Sequence, residues 1–279
     1  MSAAPLTAAA PLVFLHIPKT AGQSVHAALS GAAGAGCVSP VRVHAEAPRG
    51  AAQMPAGYSL YSGHIDWEAL EALPPARRVF TVLRDPLERM ASFYFYLRRE
   101  AGKLSPAALA RPERTGMRRA AGLSAEVYFF GGDPGWRRFV RDHYQNPYCS
   151  YLATRRIRGR GDLPPLPARA LLARAEAAAR ALDGVYDVSE LARLEADLTR
   201  WTGLRLSIAA RRVNAGPGAG ARWPALAAEL GPVAAARLTR WVALDRALMV
   251  RLGLGADRFV SGAASMSAPV STVAAGDGV

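Results

Sequence analysis

The chain has 279 residues, of which 51% are hydrophobic and 20% are charged, so most of it should fold around a sizeable core. Its formal net charge of +13 implies an acidic partner, such as a nucleic acid, an anionic surface, a phosphorylated nucleotide or an acidic glycan. The two cysteines, Cys37 and Cys149, are too few for a disulfide framework and lack metal-ligand spacing, which excludes the small disulfide-rich class.

The two ends of the chain differ in composition from the part between them. Residues 1–10 have no basic segment and precede only a short apolar run, so neither a signal peptide nor a membrane span is predicted. We therefore expect a cytoplasmic protein with a flexible N-terminus at 1–10. Small and polar residues predict a disordered tail at 260–279. Residues 11–259 are predicted to form a single α/β domain.

The first predicted elements are a buried parallel strand at 11–17 and a helix that follows Gly22. The turn between them contains Lys19, one of only two lysines among 35 basic residues, together with the hydroxyls of Thr20 and Ser24. A helix start offers unpaired amide hydrogens and the positive end of the helix dipole, so this turn is suited to binding an anion. A solvated loop lysine is the alternative interpretation.

The next strand is predicted within the alternating segment 58–67 and ends at Gly63-His64. A histidine just beyond the carboxyl end of a strand lies where open α/β sheets bind their ligands. The alternative is a histidine that makes only structural hydrogen bonds in the core. A shorter strand is predicted at 41–44.

A strand at 79–83 and a helix from Pro86 to about 99 follow. Asp85 is the predicted N-cap, and Glu88 occupies the capping-box position. An apolar stripe along this helix predicts one buried face, and the opposite face, which includes Arg89, is polar. Arg84 and Ser92 form a second candidate anion clamp, whereas a surface salt bridge with Asp85 or Glu88 is the simpler role for Arg84.

Five later segments carry further predictions. Residues 101–121 are basic and weakly periodic, which predicts a mobile loop or lid. The glycine-rich basic segment 211–220 is able to close over an anion but equally able to be plain surface. Short helices are predicted near 124–130 and 135–143, and His143 is a weak candidate to face a ligand. The last helical region is predicted at 232–252.

Three of these motifs, at 16–24, 62–64 and 83–96, resemble sulfotransferases that use 3′-phosphoadenosine 5′-phosphosulfate (PAPS). The likeness is greatest to the group that contains heparan sulfate 2-O-sulfotransferase and its bacterial relatives. This resemblance implies a single sulfotransferase domain with a P-loop-like central parallel sheet flanked by helices. One position departs from the family, which usually has threonine where this chain has Gln23.

The resemblance also implies a role for each motif residue. Lys19 would stabilise the transferring sulfuryl group, and His64 would be the catalytic base, with Asp66 and Glu68 as fallback bases. Arg84 and Ser92 would bind the 3′-phosphate. The 5′-phosphosulfate would be bound by the turn residues Lys19, Thr20, Ala21, Gly22, Gln23 and Ser24. No metal is required for this chemistry.

The predicted function is transfer of a sulfuryl group from PAPS to a hydroxyl of an acceptor, a carbohydrate or glycoconjugate such as a glycan or glycolipid. The turn is not a Walker A motif, because Lys19 precedes Gly22 and no glycine lies upstream. Two alternatives stay open: a P-loop-like kinase that uses ATP, and a non-catalytic basic protein that binds polyanions. No nucleic-acid-binding motif is recognisable, so nucleic acid is not an expected partner.

Overall fold

Four parallel strands form the central sheet, and most of their residues are buried. The structure is a computed structural model that describes residues 6–210 and 221–255. The order across the sheet is β2-β1-β3-β4, and all three pairings are parallel. The strands are β1 (Leu12–Leu15), β2 (Leu60–Gly63), β3 (Arg78–Leu83) and β4 (Gly184–Asp187). This confirms the predicted α/β class with a parallel central sheet.

Helices flank the sheet and extend beyond it. Within the described residues they are α1 (Gly22–Ala33), α2 (Pro86–Ala101), α3 (Pro106–Leu109), α4 (Thr115–Gly122), α5 (Ala125–Phe130), α6 (Pro134–Tyr144), α7 (Pro147–Thr154), α8 (Ala168–Arg180), α9 (Leu191–Thr202), α10 (Arg222–Trp241) and α11 (Ala243–Arg251). Among the described residues, no helix combines the length and the apolar character needed to cross a bilayer.

Both faces of the sheet are buried, as expected for parallel strands. Along β1, Leu12 and Phe14 face α1 and α9, whereas Val13 and Leu15 face α7, α8 and α11. A third apolar cluster joins α2, α4, α5, α6 and α10 beside the sheet. The sheet therefore provides one rigid surface of the molecule. The helical cluster provides a second surface, which lies opposite the edge of the sheet.

Several predicted elements need correction. Residues 101–121 contain α3 and most of α4, which packs on α2 and buries Ala120, so the predicted mobile lid is wrong. The strand predicted at 41–44 is reduced to a single bridge between Val43 and His64. The helix predicted at 232–252 is present, but a further helical segment from Arg222 precedes it, and the two meet at a kink at Gly231, whose φ is 75°.

Some predictions fall outside the described residues. These are the anion-closing loop at 211–220, the disordered tail at 260–279 and half of the flexible segment at 1–10.

Two helices cap one another next to the sheet. The carboxylate of Asp245, on α11, accepts hydrogen bonds from the backbone N–H groups of Tyr148 and Cys149 at the start of α7, at 3.1 and 2.9 Å. In return Asn146 accepts from the N–H groups of Leu244 and Asp245 at 3.0 and 3.2 Å. Four orphan donors of two helix starts are thus satisfied by two buried side chains.

We expect Asn146→Ala to lower the free energy of unfolding by about 2–3 kcal/mol, because it leaves two buried N–H groups unpaired and puts alanine in a left-handed conformation. The φ of Asn146 is 46°. Asn146→Gly loses the cap but tolerates that backbone, so about 1–2 kcal/mol is expected. Urea unfolding of both variants measures the two losses. Equal losses would show that the backbone conformation contributes nothing.

Candidate functional site

A cleft of about 1000 Å³ opens at the carboxyl edge of the sheet. The chain leaves β1 for β2 on one side and then crosses to β3 on the other, so β1 and β3 flank the point where the strand order reverses. Ligands bind at such points in open α/β sheets. The turns that follow β1 and β3 both line the cleft, and α6, α7 and the start of α10 line its other walls.

The turn after β1 has an unusual backbone. Lys19 and Ala21 have φ angles of 72° and 62°, a left-handed conformation that costs about 1–2 kcal/mol for each non-glycine residue. Thr20 is buried, and its hydroxyl donates to the carbonyl of Ile17 at 2.9 Å, so this hydroxyl stabilises the turn and does not line the cleft. Ala21 begins α1 without any side-chain cap from the described residues. The first turn of α1, which includes Gly22, Gln23 and Ser24, lines the cleft.

Gly22 is required by the packing of this turn. A Cβ atom at Gly22 would lie 1.6 Å from Nε2 of His16, whose imidazole packs directly on the start of α1. The same ring stacks on Phe14 with 5.3 Å between centroids and lies 4.1 Å from the ring of His64. Any larger residue at position 22 would therefore displace a histidine pair as well as the turn.

Lys19 extends along the cleft wall. Its Nζ lies 4.1 Å from the centroid of the Tyr96 ring, a cation–π contact with a residue of α2. Burial and, after it, the neighbouring charges of Arg99, Arg222 and Arg84 together lower the pKa of Lys19 to about 8, against a smaller opposing effect of Glu100. Positive charge is thus concentrated around an ammonium group that is still largely protonated at neutral pH.

The turn after β3 carries the second group of cations. Asp85 accepts from the N–H of Glu88 at 2.9 Å, which confirms the predicted cap. The carboxylate of Glu88 does not complete the predicted capping box; it accepts from the N–H groups of Arg222 and Trp223 at 2.9 and 2.8 Å. It also pairs with Arg84 at 3.3 Å. Glu88 therefore docks the start of α10 beside Arg84.

Arg222 is a site residue that the sequence analysis missed. Its guanidinium donates to Oγ of Ser92 at 2.7 Å, so Ser92 is held by an arginine that lies 130 positions away in the chain. Arg84, Ser92 and Arg222 all line the cleft. The only available signal was its position just after the basic segment at 211–220, in a helical segment before the Gly231 kink that was not predicted.

The imidazole of His64 is neutral, and a hydrogen bond fixes its tautomer. Its Nδ1 lies 2.7 Å from the carbonyl oxygen of His16, so Nδ1–H donates there and Nε2 is the unprotonated nitrogen. Burial lowers the pKa of His64 to about 4, and the hydrogen bond to His16 opposes this only in part. The ring is partly exposed to the cleft, which it lines together with Lys19.

The two fallback bases lie elsewhere. Asp66 is 2% exposed and accepts from the N–H of Ile157 at 2.7 Å, so it anchors the loop after α7. Glu68 pairs with Arg156 at 2.6 Å. Neither carboxylate lines the cleft. Of the predicted bases, the structure brings only His64 together with Lys19.

Arg89 also departs from its expected place. It falls on the polar face of α2 in the sequence pattern, yet it is 2% exposed. Its Nε donates to the carbonyl of Pro18 at 3.1 Å, and its Nη1 donates to the carbonyl of His143. Backbone carbonyls thus replace solvent for this cation, and they join the turn after β1 to α6.

Every residue predicted to bind the cofactor lines the cleft except Thr20; they are Lys19, Ala21, Gly22, Gln23, Ser24, Arg84 and Ser92. Among the described residues, no three His, Cys, Asp or Glu side chains are arranged to hold a metal ion.

No protein-family model matches the chain, and no curated protein matches it. The resemblance of its motifs to PAPS-dependent sulfotransferases stays a prediction.

We expect Lys19 to titrate near pH 8, which lysine-selective ¹³Cε labelling measures directly because the chain has only two lysines. Lys19→Arg removes one of the two signals and so assigns the other. Arg222→Gln should raise the pKa of Lys19, because a neighbouring positive charge is removed.

Arg78→Gln is the matched control, since Arg78 lies at the opposite end of β3 in an exposed pair with Asp183. A Lys19 signal that titrates above about pH 10, the range of an unperturbed lysine, would contradict the cationic cluster.

Proposed function

We propose that the protein transfers a sulfuryl group from PAPS to a hydroxyl of a carbohydrate or glycoconjugate acceptor. The observation that carries the proposal is a pair of cationic turns at one edge of the sheet. The turn after β1 carries Lys19, and the turn after β3 carries Arg84, beside which Arg222 lies at the start of α10. A nucleotide with phosphate groups at two separate positions of its ribose matches two separate cationic groups. Two of the three motifs that resemble PAPS-dependent sulfotransferases supply this pair of turns, since one contains Lys19 and another contains Arg84.

The donor would bind with its 5′-phosphosulfate at the turn after β1. The start of α1, where the helix dipole is positive, and the ammonium of Lys19 both stabilise negative charge there. The 3′-phosphate would lie against Arg84 and Arg222, with Ser92 fixing the second guanidinium. Arginine suits this second position because its planar donors bind phosphate in a bidentate way.

The transfer step needs one base and one stabilising cation. His64 Nε2 takes the proton of the acceptor hydroxyl as its oxygen attacks the sulfur. The bond between sulfur and the bridging oxygen of the 5′-phosphate breaks, and 3′,5′-ADP leaves with the negative charge. Lys19 stabilises that charge as it develops. Little covalent chemistry is left to the protein, so positioning and charge stabilisation account for the rate.

We expect 3′,5′-ADP to raise the melting temperature more than 5′-AMP or ATP does, because only it has a phosphate for each cationic turn. Isothermal titration should give at least about tenfold tighter binding than 5′-AMP. Arg84→Ala and Arg222→Ala should each abolish this preference, whereas Lys19→Ala should weaken all three nucleotides.

Arg78→Ala and Lys103→Ala are the controls for loss of one positive charge outside the cleft. Tighter binding of ATP than of 3′,5′-ADP would favour a kinase. Salt-sensitive heparin binding that is independent of Lys19, with no nucleotide binding, would favour a polyanion-binding protein.

The pH dependence of sulfate transfer should report both site residues. In kcat/KM for PAPS, we expect a plateau between about pH 5 and 7, since the pKa of His64 is about 4 and that of Lys19 about 8. The rate falls below the plateau as His64 becomes protonated and above it as Lys19 loses its proton. Transfer of labelled sulfate to a panel of glycans measures the profile.

Lys19→Arg should move the alkaline fall in rate to higher pH, because a guanidinium stays charged over the pH range in which lysine loses its proton. His64→Ala should lower kcat by about a hundredfold or more. An unchanged profile in His64→Ala would exclude this histidine as the base.

A further inference from the structure

The wall of the cleft opposite the cationic turns is built from α6, α7 and the loop at 43–44. It presents hydrogen-bonding groups that the sequence motifs and the proposed transfer step do not use. These groups belong to His44, Asp142, His143 and Ser150, all of which line the cleft.

His143 repeats the arrangement found at His64. Its Nδ1 lies 2.8 Å from the carbonyl oxygen of Phe139, so Nδ1–H donates within α6 and Nε2 is left as an acceptor. Burial lowers its pKa to about 3, which keeps the ring neutral. The ring is fixed by stacking on Phe93 and Phe139, at 5.4 and 4.1 Å between centroids. A second neutral imidazole therefore faces the same cleft.

Two buried polar atoms on this wall have no hydrogen-bond partner among the described residues. They are Oγ of Ser150, a residue that is only 4% exposed, and Nδ1 of His44. A buried hydroxyl without a partner costs about 1–3 kcal/mol, so such groups in a cleft mark where a ligand completes the bonding. His44 is fixed by its backbone N–H, which donates to the carbonyl of His64 at 2.7 Å.

Asp142 adds a carboxylate to the same wall. It makes no hydrogen bond and no ion pair within the described residues, although the charges of Arg158 and Arg160 act on it and burial raises its pKa. Apart from Arg158, which also lines the cleft, the wall thus offers chiefly hydrogen-bond acceptors, whereas the cationic turns offer donors. A phosphorylated ligand fits the donors, and a ligand rich in hydroxyl groups fits the acceptors.

We propose that Asp142, His143 and Ser150 form the acceptor subsite, and that it takes an uncharged, hydroxyl-rich ligand such as a neutral glycan. The assignment of this subsite to the acceptor rests on the proposed function. The residues of the subsite are defined independently, by the geometry of the cleft wall. One hydroxyl of the sugar would reach His64, and its neighbours would donate to Asp142 and to Nε2 of His143. Ser150 would bind a ring or hydroxyl oxygen.

The test uses saturation-transfer NMR on the full chain with the methyl glycosides of glucose, galactose and mannose, and with methyl glucuronide as the anionic probe. Each sugar is measured with and without 3′,5′-ADP. We expect at least one neutral glycoside to bind, and its Kd to rise about tenfold in Asp142→Asn and in His143→Phe. The phenylalanine keeps the stacking on Phe93 and Phe139 but removes Nε2.

Glu126→Gln is the matched control, because it removes one exposed carboxylate of α5 outside the cleft. The affinity for 3′,5′-ADP should be the same in all three variants. The subsite proposal is overturned if no neutral glycoside binds, if only the glucuronide binds, or if neither cleft variant weakens binding. Sugar binding without any affinity for 3′,5′-ADP would refute the donor assignment and leave the subsite supported.

Discussion

The cleft depends on one buried cation, Arg89. Its guanidinium has no carboxylate within ion-pair distance among the described residues, and it is held instead by the carbonyl oxygens of Pro18 and His143. Removing a charge from water is costly unless hydrogen bonds replace the lost hydration. The two carbonyl oxygens that accept from Arg89 belong to opposite walls of the cleft. The hydrogen bonds that keep Arg89 buried therefore also fix the distance between the turn after β1 and α6.

The cations around Lys19 lie close together, and their mutual repulsion costs free energy. Lys19 lies near Arg84, Arg99 and Arg222, and its pKa is lowered first by burial and then by repulsion from these three charges. Glu88 offsets part of this repulsion, since it pairs with Arg84 and also accepts two N–H groups at the start of α10. A polyanionic ligand would neutralise the remainder, which is why like charges concentrated in a cleft indicate a binding site better than charges dispersed on a surface.

Local patterns predicted the elements that carry the turns, and failed where distant segments meet. β1, β3 and the Asp85 cap of α2 follow from apolar runs and from cap chemistry within a few residues. Arg89 was assigned to the polar face of α2, because helical periodicity contains no information about carbonyls supplied by Pro18 and His143. Glu88 fits a capping box in sequence, but a helix start more than 130 residues later competes for its carboxylate. Arg222 reaches Ser92 by the same long-range contact. The residues from 101 to 121 looked irregular because their helices are short.

His16 joins the turn after β1 to His64, so these two parts of the cleft cannot vary independently. Its carbonyl oxygen accepts from Nδ1–H of His64 and thereby leaves Nε2 of that ring unprotonated. Its own imidazole fills the space that a side chain at position 22 would need. A substitution at Gly22 would move the ring of His16 and, through the strand end that carries its carbonyl, disturb the tautomer of His64. The glycine therefore maintains the orientation of His64 as well as the shape of the turn, and its place in the motif follows from packing as well as from backbone freedom.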